Sequence, residues 1–115
     1  MLVINNEIVA DVLTMEDCIQ AQEEAFKKIP TGGAIHRPRI DMYMPTERED
    51  GYFRWGTMEG ANDGFFAIRM KSDIMYWPEN ESGNWTEEKY CREPGTYCGV
   101  ILLISTKNAE PLAFI

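Results

Sequence analysis

The chain has 115 residues, a formal net charge of −8 and a hydrophobic fraction of 44%. This length suits one domain, no apolar run approaches the ~18–20 residues that a membrane span requires, and the acidic balance argues against nucleic acid as a partner. Without a signal-like start the expected compartment is the cytoplasm, where Cys18, Cys91 and Cys98 would stay free thiols and form no metal site.

The amino-terminal third predicts a short strand and two helical segments. Residues 2–4 are a strand candidate, and a short helical stretch follows to Leu13. Thr14 and Asp17 have the spacing of a capping box, which marks a helix start. Apolar residues then recur at helical spacing, and Pro30 ends the pattern; they are Met15, Cys18, Ile19, Ala25, Phe26 and Ile29. We expect a surface helix packed on a sheet.

The middle of the chain changes to a period of two, which is typical of strands. Residues 35–44 place Arg37, Arg39, Asp41 and Tyr43 on one face, and Pro38 indicates an edge strand or a bulge. Two further strands are predicted at residues 52–58 and 65–74, after polar turns. On the second of these strands, the side chains that share one face are Ala67, Arg69, Lys71 and Asp73.

The last third predicts a long polar loop at residues 75–96, a central strand at 98–105 and a final strand at 111–115. The predicted fold class is α+β: a mixed, mostly antiparallel sheet of about six strands packed against the amino-terminal helix. The sequence stops at Ala113-Phe114-Ile115, within a strand. We therefore expect a fragment that is truncated before a further domain.

The basic residues are gathered in the middle of the chain. Six of the eleven lie between Arg37 and Lys71. Two interpretations remain open at this point: a site for a small anion, or a solvated face of the sheet.

Six short motifs occur in the order found at the start of the ornithine cyclodeaminase/μ-crystallin family, which the chain resembles over nearly its whole length. The motifs are Leu13-Thr14-Met15-Glu16-Asp17 with Glu23-Glu24-Ala25-Phe26, Arg37-Pro38-Arg39, Gly51-Tyr52-Phe53-Arg54, Ala67-Ile68-Arg69-Met70-Lys71-Ser72, Gly95-Thr96-Tyr97-Cys98-Gly99-Val100-Ile101-Leu102-Leu103 and Glu110-Pro111-Leu112-Ala113. The chain departs from the family at Gly56-Thr57, where many members have Met-Pro, and in the longer, more acidic loop that follows Tyr76.

The resemblance implies that residues 1–115 are a substrate-binding and dimerisation domain, with a Rossmann domain expected beyond residue 115. It also implies NAD or NADP as the cofactor, a small amino, imino or keto acid as the substrate, and a homodimer formed through the sheet. The catalytic residues and the cofactor site would lie beyond the fragment, which would be inactive alone.

Four residues match positions that bind substrate in the family. Arg39 matches the arginine that holds the substrate carboxylate, and Thr96 matches a threonine beside the substrate and the nicotinamide. Arg69 stands where the family has a lysine, and Lys71 lies two residues further along on the same strand face. Either of the two could supply the second cation.

Two alternatives to this enzyme remain. One is a non-catalytic accessory or ligand-binding subunit of an amine-metabolising system, and the altered Gly56-Thr57 and the enlarged loop favour it. The other is a free-standing acidic interaction module.

Overall fold

A computed structural model describes every residue from Met1 to Ile115 and contains one seven-stranded sheet. The strands are β1 Leu2–Val3, β2 Ala34–Pro45, β3 Gly51–Asn62, β4 Phe65–Tyr76, β5 Glu88–Tyr90, β6 Val100–Ser105 and β7 Pro111–Phe114. Their order is β1-β7-β6-β4-β3-β2, and β5 pairs with β4. β1 runs parallel to β7, whereas β6 with β7 and β4 with β5 are antiparallel. The predicted mixed, mostly antiparallel sheet is confirmed, with one strand more than expected.

Two helices precede the long strands. Helix α1 covers Asn6–Val12, and helix α2 covers Met15–Lys28 with a 3₁₀ turn at Ile29–Thr31. The predicted capping box is present: Asp17 N–H donates to Thr14 Oγ1 at 3.1 Å, and Thr14 N–H donates to Asp17 Oδ2 at 3.0 Å. The Thr14 hydroxyl also donates to the Asp17 carboxylate, and this bond together with that from the Thr14 N–H lowers the pKa of Asp17. The capping box thus satisfies amides that the first turn leaves without partners.

The apolar stripe of α2 is covered unevenly. Ala25 and Ile29 are half-buried, whereas Met15, Ile19 and Phe26 are 74%, 61% and 66% exposed. Only part of the face that we expected to pack on the sheet is therefore covered by the chain itself. None of the helices is long and apolar enough to cross a lipid bilayer.

The chain divides into two compact units. The first unit consists of Met1–Pro38, Met58–Arg69 and Val100–Ile115, and the second of Arg39–Thr57 and Met70–Gly99.

The first unit contains the ladder of β1, β7 and β6. Leu103 pairs with Ala113, which is 3% exposed, and Ala113 pairs with Leu2 on its other side. Beyond the last pair, the backbones of Ile101 and Ile115 exchange hydrogen bonds of 2.7 and 2.8 Å. The predicted final strand and the preceding apolar strand are confirmed in this ladder.

A two-residue turn joins β3 to β4. Asp63 and Gly64 have φ values of 50° and 83°, the left-handed conformations that tight hairpins favour and that aspartate and glycine accept. The turn is shorter than the predicted one, because β3 continues through Asn62. Lys28 Nζ lies 2.5 Å from Asp63 Oδ2 and links the end of α2 to this turn.

The second unit is built around β4 and β5. Met75 is 2% exposed and pairs with Lys89. Gly51 begins β3 against Met75, where an added β-carbon would lie 2.6 Å from the Met75 carbonyl oxygen. The sequence predicted only a loop after residue 74, but β4 continues to Tyr76 and β5 pairs with its end. The missed strand is short and polar, and it lacks the apolar alternation that identifies longer strands.

β2 is an edge of the sheet, as Pro38 predicted. Proline lacks a backbone donor, so it is tolerated where a strand has a neighbour on one side only.

Candidate functional site

Five charged side chains of the second unit form a cluster of two ion-paired groups: Arg39 with Asp41, and Arg54 and Lys71 with Asp73. Arg39 Nη2 lies 2.9 Å from Asp41 Oδ2, and Lys71 Nζ lies 3.1 Å from Asp73 Oδ1. Arg54 donates from Nη2 to Asp73 Oδ2, so Asp73 has a cation at each oxygen. The five groups are three cations and two carboxylates, which leaves a net charge of +1.

Arg54 and Asp73 lie at the buried centre of this cluster. They are 5% and 2% exposed. Burial alone would raise the pKa of Asp73, but the hydrogen bonds and charges of Arg54 and Lys71 outweigh it and hold that pKa below its usual value. Burial alone would lower the pKa of Arg54, but the pairing with Asp73 outweighs it and raises that pKa. Both groups are therefore charged throughout the physiological range.

The Asp41 carboxylate lies close to the backbone of a glycine. An added β-carbon at Gly56 would collide with Asp41 Oδ1, and Oδ1 is a buried oxygen without a hydrogen-bond donor. Asp41 also contributes to raising the pKa of Arg54 through its charge, although less than Asp73 does. Gly56, which replaces the Met-Pro of the resembled family at this point, thus makes room for a carboxylate between two arginines.

The two outer cations differ in exposure. The side chain of Arg39 is 50% exposed, whereas that of Lys71 is 17% exposed. Guanidinium has five N–H donors, and the ion pair with Asp41 engages Nη2. Arg39 therefore keeps free donors toward solvent with which it can hold a carboxylate.

Lys71 also faces an aromatic ring. Its Nζ lies 5.5 Å from the centroid of the Tyr97 ring, within the range of a cation–π contact. Tyr97 itself is 64% exposed. Tyrosine and lysine thus form an open, partly apolar margin on the Lys71 side of the cluster.

Tyr97 is fixed in place by a disulfide that the sequence did not predict. Cys91 and Cys98 are bonded, with their α-carbons 5.7 Å apart, so the expectation of three free thiols is wrong for this pair. Only Cys18 remains free. The turn between the two cysteines, in which Arg92 and Gly95 adopt φ values of 71° and 86°, brings them together, and their spacing alone did not show this.

Thr96 uses its side chain inside this same turn. Its hydroxyl contacts the carbonyl oxygens of Cys91 and Glu93, the latter at 2.7 Å. Its backbone also closes the turn, because Cys91 N–H donates to the Thr96 carbonyl at 2.9 Å. The hydroxyl thus stabilises the disulfide turn in this structure.

Arg69 belongs to the first unit. Its Nη1 lies 3.9 Å from Met58 Sδ, and no carboxylate pairs with its guanidinium. Of the four predicted site residues, Arg39 and Lys71 therefore each pair with an aspartate of the second unit, Thr96 supports the turn that carries Tyr97, and Arg69 belongs to the first unit.

The sequence did not single out Arg54 and Asp73 as a pair. Arg54 was noted only within a motif and Asp73 only as one residue of a polar strand face. The signal that could have found them is the alternation of side chains along the two strands. It places both charges at positions that the sheet buries, and buried charges require partners.

The chain is similar in structure to an archaeal alanine dehydrogenase, solved as a dimer with bound NAD. The TM-score is 0.68 at 24% sequence identity, and the match covers 99% of this chain and 30% of the dehydrogenase chain. No protein-family model matches the sequence, and no curated protein matches it. The chain therefore has the fold of a part of an NAD-binding dehydrogenase and spans 30% of that protein's length.

Proposed function

We propose that the chain is the substrate-binding part of an NAD(P)-linked enzyme, like the ornithine cyclodeaminase family it resembles, that acts on a small amino, imino or keto acid. The observation that carries the proposal is the half-exposed guanidinium of Arg39, which keeps donors toward solvent beside its ion pair with Asp41. The chain shares its fold with an alanine dehydrogenase that was solved with bound NAD. This likeness supports the same class of ligand.

In this proposal Arg39 holds the substrate carboxylate and Lys71 is the second cation. A planar guanidinium presents paired donors that match the two oxygens of a carboxylate. Lys71 fits the second role better than Arg69, because Lys71 belongs to the same unit as Arg39 and Arg69 does not. Thr96 contributes indirectly, since its hydroxyl stabilises the turn that carries Tyr97.

The cofactor is proposed for the complete protein and not for these residues. Pyrophosphate groups of dinucleotides bind at a glycine-rich turn between a strand and a helix. The connections from β1 to α1 and from α1 to α2 use Ile4, Asn5, Leu13 and Thr14, and none of these is a glycine. The residues present therefore lack the glycine-rich turn that would hold the pyrophosphate of NAD.

Binding of L-alanine and pyruvate to the full chain, followed by NMR, tests the substrate proposal. We expect the backbone signals of Arg39 and Lys71 to shift and saturate. Arg39→Gln should weaken binding about tenfold, equivalent to roughly 1.4 kcal/mol. The matched control is Arg92→Gln, which removes an exposed arginine of the same unit. Equal affinities of the two variants would overturn the role of Arg39.

A second candidate is a non-catalytic ligand-binding subunit with the same fold. It is favoured by the fact that Arg39 and Lys71 each already have an aspartate partner, with which a substrate carboxylate must compete. Assaying the complete protein with NAD(H) and NADP(H) across amino and keto acids separates the two functions. Binding without turnover would favour the second.

We further propose a homodimer formed through the sheet. On one face of β2, Ile40, Met42 and Met44 are 50%, 57% and 49% exposed, which is unusual for a monomer. Sedimentation should give about twice the chain mass of 13.2 kDa. Met42→Glu should dissociate the dimer, and Met15→Glu on α2 should not. A monomeric wild-type chain would contradict the proposal.

A further inference from the structure

One central cation differs from all the others. Five of the six basic residues between Arg37 and Lys71 pair with carboxylates, and Arg69 does not. The pairs are Arg37–Glu59, Arg39–Asp41, Arg48–Asp50, Arg54–Asp73 and Lys71–Asp73. In a chain with a net charge of −8, an arginine that has only a thioether neighbour is available for an external anion.

Arg69 lines a cavity of about 590 Å³ within the first unit. The cavity lies between the end of α2, which contributes Phe26 and Ile29, and the strands, which contribute Ala34, Phe65 and Ile101. Its size falls within the range of about 300–1,000 Å³ that is typical of small-molecule sites. The walls are almost wholly apolar, so they suit a hydrocarbon body.

Besides Arg69, the polar side chains on the walls are Gln22, His36, Arg37, Glu59 and Asn62. Glu59 also lines the cavity, but Arg37 holds it through Nε and Nη2 at 2.7 and 2.5 Å. Asn62 contributes Oδ1, a buried oxygen without a donor, which can accept from a hydroxyl or ammonium group on a ligand. The cavity thus combines an apolar interior with one free cation.

We propose that this cavity binds an amphipathic monocarboxylate, with the hydrocarbon body against Phe26 and Phe65 and the carboxylate on Arg69. The apolar body gains from leaving water, and the carboxylate gains charge-assisted hydrogen bonds from a guanidinium that has no other anionic partner. Neither group suffices alone: a short acid leaves the apolar walls unfilled, and an alcohol leaves Arg69 unused.

Calorimetric titration of the full chain with octanoate, octanol and butyrate tests this proposal at concentrations below micelle formation. Octanoate should bind saturably, with one ligand per chain, and at least about tenfold more tightly than octanol or butyrate. Arg69→Gln should remove most of the preference for octanoate over octanol. Lys107→Gln, the control for net charge, lies in an exposed turn of the same unit and should retain the preference.

A second variant tests the cavity itself. Ala67 lines the wall, and Ala67→Phe should fill the space and abolish octanoate binding, while circular dichroism verifies that the variant is folded. If Ala67→Phe does not fold, the test rests on Arg69→Gln, which changes an exposed side chain. The proposal is overturned by absence of octanoate binding, by equal affinity for octanol, or by unchanged binding in Arg69→Gln. It is also overturned if the wild-type chain binds no octanoate because a second copy covers the cavity.

Discussion

Arg54 donates to Oδ2 of the Asp73 carboxylate and Lys71 forms an ion pair at Oδ1, and the carboxylate is almost completely buried between them. A buried carboxylate with two cationic partners adds less to stability than its contacts suggest, because all three groups lose hydration. Removing one partner has a much larger effect, since it leaves a buried charge uncompensated. The cluster therefore fixes which side chains occupy this face of the second unit.

Arg54→Met tests this asymmetry. We expect it to lower the free energy of unfolding by about 3–5 kcal/mol, because buried Asp73 keeps only Lys71 as a cationic partner. Urea denaturation monitored by tryptophan fluorescence measures the loss. Arg39→Met, which removes a half-exposed partner, should cost less than about 1 kcal/mol. Similar losses in both variants would show that Arg54 is not the buried centre of the cluster.

The lowered pKa of Asp73 predicts the direction of the pH dependence. A carboxyl group that is more acidic in the folded state stabilises the fold above the pKa of the unfolded chain, and this stabilisation is lost as the pH falls below about 4. Asp73→Asn should therefore flatten the acid side of the stability profile, measured as urea midpoints from neutral pH downward. Asp17→Asn, at an exposed cap, should flatten it less. An unchanged profile in Asp73→Asn would contradict the assignment.

The disulfide predicts a response to reductant. Alkylation of the folded chain should label Cys18 alone, and all three cysteines after reduction. Loss of the small loop should cost about 2 kcal/mol on the chain-entropy estimate. Cys18→Ser, the control, should respond to reductant in the same way as the wild-type chain. Three alkylated cysteines without reductant would show that Cys91 and Cys98 are not bonded.

Gly56 predicts a position-specific effect of one methyl group. Gly56→Ala should destabilise the chain by about 1–3 kcal/mol, because the β-carbon would collide with the Asp41 carboxylate. Gly99→Ala should be close to neutral, since its β-carbon would meet the Met70 carbonyl oxygen at an ordinary 3.6 Å. The double variant Gly56→Ala/Asp41→Ala should recover part of the melting temperature that Gly56→Ala loses. If it restores none, the strain has another source.

Local patterns allowed much of the fold to be predicted. Thr14 with Asp17 marked the start of α2, the period of two identified the three long strands, and Pro38 marked the edge. These signals come from hydrogen bonds and side-chain directions within a few residues, so a single sequence contains them.

What the sequence did not show depends on contacts between distant residues. The bond between Cys91 and Cys98 requires the intervening turn, and the pairing of Arg54 with Asp73 requires the register of two strands. The separate environments of Arg69 and Lys71 likewise follow from their neighbours rather than from their spacing. Two residues on the same strand face thus have different chemistry: Lys71 has a carboxylate partner, and Arg69 has a thioether and an apolar cavity.

The two borders of the sheet have a consequence for self-association. β1 offers only two residues to an incoming strand, and β2 carries a proline within its length. Neither border is a good template for adding strand after strand, which protects the protein from fibre-like assembly. We therefore expect contacts between copies of the chain to use side chains on the faces of the sheet rather than strand pairing at its borders.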